Sequence, residues 1–139
     1  MAYKENSVYN NIKRIVERSD IGHLFNYTDF RDCGKYTAIR TAVVDLCKQN
    51  YLERVCQGIY VKPDKLKSKS YLPDDITLAI EIDRKNGAEP TPKGETLEFL
   101  NGIRNKKPKI LEFYSTGSGR KRVLPSGTVV KYSFIRKQG

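Results

Sequence analysis

Ile39, Ala42, Val43, Leu46 and Cys47 recur at steps of three and four, and four residues later the pattern changes character. A step of three and four puts all five on one side of a helix. From Tyr51 the chain turns to β-branched and aromatic residues, Tyr51-Leu52-Glu53-Arg54-Val55 and Ile59-Tyr60-Val61, separated by Cys56-Gln57-Gly58. That is a hairpin pattern. A one-sided helix running straight into a hairpin leaves few ways to bury both apolar faces, and what precedes the helix narrows them further.

Upstream, Val8, Ile12, Ile15 and Val16 predict a helix over residues 7–18, ended by Ser19-Asp20-Ile21-Gly22. Thr28-Asp29 suit a helix's first turn, where side-chain oxygens accept free backbone N–H groups, and only a short second helix fits before Gly34. The third helix then covers residues 35–49, with Asn50 able to end it in the left-handed conformation. Three helices with a short middle one, followed at once by a hairpin, give the order of a winged helix-turn-helix. The expected domain therefore spans residues 1–63.

A polar, lysine-dotted stretch bounded by Pro63 and Pro73 predicts a linker over residues 64–73. Residues 74–139 form the second expected domain. Ile76, Leu78, Ala79, Ile80 and Ile82 predict a helix to about Lys85, closed by Asn86-Gly87. Pro90 and Pro92 exclude regular helix from Glu89 to Gly94, and a short helix follows over residues 95–100. Strands are expected at 110–116, 120–124 and 128–136, separated by Gly117-Ser118-Gly119 and Pro125-Ser126-Gly127. The predicted fold class is α+β: a winged helix-turn-helix and then a small domain with an antiparallel meander.

The chain of 139 residues carries a formal net charge of +10, a surplus that favours polyanions. Its distribution is uneven: residues 1–102 hold 16 Lys/Arg against 15 Asp/Glu, and residues 103–139 hold 10 against 1. No stretch approaches the roughly 20 apolar residues a membrane span needs, and the N-terminus lacks the apolar core of a secretory signal. A cytoplasmic protein with no membrane partner is expected. Cys33, Cys47 and Cys56 form no C-x-x-C pair and are expected to be reduced packing residues. His23 is the only histidine, which argues against a zinc site and most histidine-based catalysis.

The third helix is the leading candidate site. Lys35, Tyr36, Thr37, Arg40 and Thr41 occupy its N-terminal end, with Val44 and Lys48 further along the same face. In a helix-turn-helix that end meets base edges and phosphates. Arg40 has the fork to grip guanine, Tyr36 or Thr37 can bond a phosphate, and Val44 can meet a thymine methyl. The competing reading is an ordinary solvated helix face, and the surrounding succession of elements favours recognition. Arg54, Gln57 and Lys62 in the hairpin are candidate phosphate contacts; a purely structural hairpin is the alternative. Lys106, Lys107, Arg120, Lys121 and Arg122 form a possible secondary contact for nucleic acid or an acidic partner, interleaved with Phe113, Tyr114, Tyr132 and Phe134. Strand alternation would, however, send several of those aromatics into the core.

Asp74, Asp75, Glu81 and Asp83 lack a second acidic cluster to pair with, and the turn Thr116–Arg122 lacks the spacing of a phosphate loop. Without a nucleophile–base pair, a metal cluster or a cofactor fingerprint, the expectation is a non-enzyme needing no cofactor or metal. A module binding RNA or protein through the basic C-terminal half stands as the alternative to duplex recognition.

The run Gly34-Lys35-Tyr36-Thr37-Ala38-Ile39-Arg40-Thr41-Ala42-Val43, then Leu46 and Tyr51 to Val61, resembles the winged-helix domain of AbiEi-type antitoxin-like transcriptional regulators. Those proteins show an "aR-x-A-L" helix and a "G-x-L-x-R-x-x-x-G-x-Y" wing. Lys35 departs from the pattern, standing where a capping residue is expected, and the C-terminal part is short beside full antitoxins. The resemblance implies a bacterial repressor that binds operator repeats in duplex DNA; the oligomeric state stays open, a homodimer on the repeats being one arrangement. It also implies a nucleotidyltransferase-like toxin encoded nearby. By position it makes Arg40 the principal groove residue and Arg54 with Gln57 the wing contacts.

Overall fold

The computed structural model describes residues 7–64 and 72–136 and is α+β throughout. Its contacts divide the chain into two compact units, Met1–Leu72 and Pro73–Gly139. Most of the expected linker, residues 65–71, lies outside the described residues.

The first unit opens with α1, Val8–Arg18, whose N-cap Ser7 accepts a hydrogen bond from the Asn10 amide at 3.1 Å. Strand β1, Leu24–Phe25, comes next, followed by a 3-10 helix, Tyr27–Cys33, where a short α-helix was expected. Its cap is Asn26, with Thr28 and Asp29 in the first turn: Asn26 Oδ1 accepts from the Asp29 amide, and Asp29 Oδ2 accepts from the Asn26 amide. This reciprocal box satisfies two donors that the turn would otherwise leave bare. Helix α2, Tyr36–Lys48, carries the face foreseen from its periodicity, burying Ile39, Ala42, Val43 and Leu46. Asn50 follows with φ 64°, its amide bonded to the Cys47 carbonyl and the Tyr51 amide bonded to the Leu46 carbonyl. These are the two closing bonds of a left-handed helix end.

The hairpin is β2, Glu53–Cys56, and β3, Ile59–Val61, turning through Gln57-Gly58 with Gly58 at φ 77°. A bulge between Arg54 and Cys56 shifts the register. β1 pairs antiparallel with the far side of β3, so the sheet order is β1-β3-β2. Ile12 and Val16 of α1, Phe25, Phe30, Ile39, Val43, Leu46, Leu52 and Tyr60 close into one core. Each fully buried aliphatic or phenyl side chain there contributes about 1.5–3 kcal/mol.

In the second unit α3, Asp75–Lys85, starts at Asp74, which accepts from the Thr77 amide at 2.9 Å and the Thr77 hydroxyl at 3.0 Å. Pro90–Pro92 forms β4, α4 spans Gly94–Leu100, and β5, β6 and β7 span Ile110–Ser115, Arg120–Val123 and Val129–Phe134. The expected antiparallel meander is corrected: the order is β4-β5-β7-β6, and β5 runs parallel to β7. Alternating Leu111, Phe113, Val130 and Tyr132 give β5 and β7 a largely apolar inner face, with Ser115 as its buried polar member, so these two strands take adjacent central places. Arg120-Lys121-Arg122 cannot supply such a face, and β6 goes to the edge, antiparallel to β7 alone. The other edge is β4, whose prolines lack donors; basic residues and prolines are the usual protection of open edges.

α3 covers the inner face. The Tyr132 hydroxyl donates to the Ala79 carbonyl at 2.6 Å, and the Ser115 hydroxyl donates to Asp83 Oδ2 at 2.7 Å. Burial pushes the Asp83 carboxyl above its ordinary range, against the opposing pull of the Ser115 bond and the nearby Arg122 charge. Asp75 ties the start of α3 to Lys107, Ser126 and Thr128.

Candidate nucleic-acid interface

Because α2 spends one side on the core, its other side is open along its length. Lys35, Tyr36, Thr37, Arg40, Thr41, Val44 and Lys48 are all exposed. From Thr37 to Lys48 this stripe runs about 16 Å at 1.5 Å per residue. Thr41 keeps its hydroxyl on the helix, donating to the Thr37 carbonyl at 3.1 Å.

Both ends of the helix are braced. At the C-terminal end the Tyr9 hydroxyl donates to Gln49 Oε1. At the N-terminal end the Tyr36 ring, 58% exposed, meets Tyr27 edge-on with centroids 5.3 Å apart, and Tyr27 meets Tyr60 of β3 at 5.9 Å. The Tyr27 and Tyr60 hydroxyls are 3.1 Å apart, and burial followed by this hydrogen bond raises the Tyr60 phenol above its usual range.

No side chain caps the first turn of α2, where Lys35 stands at the N-cap. The leading amides of a helix point outward and, with the helix dipole, favour a negative group. Lys35 adds a cation beside them. Gly34, just before, lies against α1: a Cβ at that position would stand 2.6 Å from Val8 Cγ2. Glycine therefore allows the turn into α2 to approach α1 closely.

The hairpin residues divide. Arg54 and Gln57 are exposed. Lys62, expected to face a phosphate, instead turns inward, its ammonium donating to the Glu17 carbonyl at 3.1 Å and the Ser19 carbonyl at 2.7 Å. It closes the C-terminal end of α1, where a cation satisfies carbonyls left without helical partners.

The basic C-terminal residues divide as well. Lys106, Arg120 and Lys121 are exposed. Lys107 is held in an ion pair with Asp75. Arg122 is corrected from surface contact to interior group: it is 6% exposed and opposite Val130 on the inner sheet face, within electrostatic reach of Asp83. Strand alternation sends Arg122 inward and Lys121 outward, and likewise buries Phe113 and Tyr132 while leaving Tyr114 exposed; Phe134, on the Tyr132 side of β7, is exposed as the strand's last residue. Lys131, one of the basic residues of the C-terminal half, stands on the outward side, and Lys93, which was not among the expected contacts, joins it there. Only the strand register, which a single sequence does not display, brings them beside Lys121 and Tyr114.

Charge is shared more evenly than the sequence segments suggested. With the boundary between residues 72 and 73, each unit holds 13 Lys/Arg against 8 Asp/Glu. Among the described residues no group of three or more His, Cys, Asp or Glu is placed to hold a metal ion, and no helix is long and apolar enough to cross a membrane. Burial pushes the Cys47 thiol up to about 11 and also raises Cys33.

No curated protein and no solved structure matches the chain. Residues 11–130 match the model of DUF6088, a family of unknown function, and the chain belongs to that family.

Proposed function

We propose that this member of DUF6088 is a sequence-specific regulator that binds duplex DNA through its N-terminal unit, acting as a winged helix-turn-helix. In this reading the 3-10 helix and α2 are the helix pair, joined through Gly34. α2 enters the major groove, with Arg40, Thr37, Thr41 and Val44 toward base edges and the bare first turn with Lys35 toward a phosphate. Arg54 and Gln57 of the hairpin lie beside the neighbouring backbone.

The observation that carries the proposal is the division of α2: Ile39, Ala42, Val43 and Leu46 buried on one side, Lys35, Tyr36, Thr37, Arg40, Thr41, Val44 and Lys48 exposed, with an uncapped and cation-flanked N-terminus. A helix offered only to water gains stability from a Ser, Thr, Asp or Asn cap of about 1 kcal/mol. Its absence here fits a terminus that receives its anion from a ligand.

A protein lying across a promoter excludes polymerase, so repression in the cytoplasm is the regulatory outcome we infer. From the resemblance to AbiEi-type regulators we further propose operator repeats bound by two copies and a toxin gene within the regulated unit. Selection from a random duplex pool tests the core of the proposal. Enrichment of one motif is expected; a pool that stays random after repeated rounds overturns sequence-specific recognition. Relief of growth inhibition by a neighbouring gene product, on co-expression, tests the toxin connection.

A further inference from the structure

The second unit has a face that duplex recognition by α2 leaves unused. α3 covers one side of the four-stranded sheet, and the opposite side carries Glu112 and Tyr114 of β5, Lys131 and Ser133 of β7, and Lys121 and Val123 of β6. Lys121 stands directly opposite Lys131 across the β6–β7 pair. Like charges facing each other across strands are destabilising, and among the described residues neither ammonium has a hydrogen-bond or ion-pair partner.

The nearest acid does not relieve them. Glu112 is in register with Lys131, but its Oε2 lies against Gly94 at the start of α4, 3.0 Å from where a Cβ would be. A third lysine joins from beyond β4: Lys93 Nζ is 4.7 Å from the centre of the Tyr114 ring and 3.2 Å from Ser133 Oγ. The Tyr114 ring is 40% exposed, and Val123 continues the surface at 54%.

We infer that this open sheet face binds single-stranded nucleic acid, with Lys93, Lys121 and Lys131 along the phosphates and Tyr114 stacked on a base. Uncompensated cations call for a polyanion. An exposed aromatic ring and an apolar strand edge beside them call for planar groups that can stack, which paired bases in a duplex do not offer and unpaired bases do. An acidic peptide would satisfy the lysines and leave the face of the ring away from Lys93 unused.

Fluorescence anisotropy of the full chain with a labelled oligouridylate of about 12 nucleotides, within the usual site size, tests the inference. Tyr114→Leu is expected to weaken binding about tenfold and Tyr114→Phe to retain it. The Lys121→Gln/Lys131→Gln double variant is expected to reduce the salt slope by about 1.4 log units per tenfold salt. Arg40→Ala is expected to leave single-strand affinity unchanged, which separates this face from α2. Circular dichroism melts of each variant report folding, and the lysine pair, being fully at the surface, keeps the test open where Tyr114→Leu unfolds. Single-strand affinity indifferent to these substitutions overturns the inference. So does loss of single-strand binding on Arg40→Ala alone, or tighter binding of the same lysines to phosphatidylglycerol vesicles than to the oligonucleotide.

Discussion

Gly34 and Val8 are packed so closely that a single methyl group on Gly34 would press into Val8 Cγ2 at 2.6 Å. This contact sets how near the turn before α2 lies to α1, and so where the exposed face of α2 begins. Val8 is β-branched and stiff at χ1, so it cannot swing clear cheaply.

Gly34→Ala should cost about 1–3 kcal/mol, the range for inserting a methyl group into packed structure. Val8→Ala should recover most of that loss. Urea unfolding of the two single variants and the double measures the coupling. An additive pair, with no recovery, would show that the contact does not govern the turn.

Substitutions along α2 should separate into two kinds. Arg40→Ala is expected to lower affinity for the selected operator by about 1–3 kcal/mol and to relax preference at one base pair. Lys48→Ala should weaken all sequences alike and flatten the salt slope by about 0.9. Both residues are exposed, and stability should shift by less than about 0.5 kcal/mol. Titrations against operator and scrambled duplex at several salt concentrations distinguish the two.

Lys62 offers the opposite prediction. Its ammonium is bound to the Glu17 and Ser19 carbonyls, so Lys62→Met should destabilise the first unit by roughly 1–2 kcal/mol. The salt slope of duplex binding should remain that of the parent protein. A reduced slope without loss of stability would return Lys62 to the phosphate backbone.

Alkaline pH should weaken the first unit through its half-buried Cys47 thiol. Cys47 is raised from 9.0 to about 11 by burial, so the folded state holds its proton more tightly than the unfolded chain. Stability is therefore complete below about pH 9 and lost as pH rises toward 11, by roughly 1–2 kcal/mol after allowing for partial exposure. Cys47→Ala should remove this part of the decline. Thermal melts across that range check it, with the raised Tyr60 phenol adding a loss of the same sign at still higher pH.

What could be read from the sequence was what neighbouring residues decide among themselves. The buried face of α2 follows from Ile39, Ala42, Val43 and Leu46 within about two turns of helix, and its left-handed end from Asn50. β1 could not be foreseen, because Leu24 and Phe25 make a strand only when β3 is there to pair with them. The same holds for Pro90–Pro92, which becomes β4 through Ser115, Tyr114 and Phe113. Side-chain fates followed this division. Thr37, Arg40 and Thr41 stayed where helical period put them, whereas Lys62 and Lys107 were claimed by carbonyls and a carboxylate distant in sequence, and Arg122 was turned inward by its place in β6. Basic residues are interchangeable in a composition but not in a fold, since the nearest acceptor decides which remain available to a ligand.

The place of β7 between β5 and β6 carries a consequence for how the protein is made. A growing chain delivers β5 and β6 before the strand that belongs between them, so the second unit cannot close its sheet until residues 129–134 have left the ribosome. The first unit, all of whose strands precede residue 62, can be complete and competent for folding by then. Premature termination after residue 128 would thus leave an intact first unit attached to the β4–β5 pair and a β6 with no neighbour, a ready substrate for proteolysis.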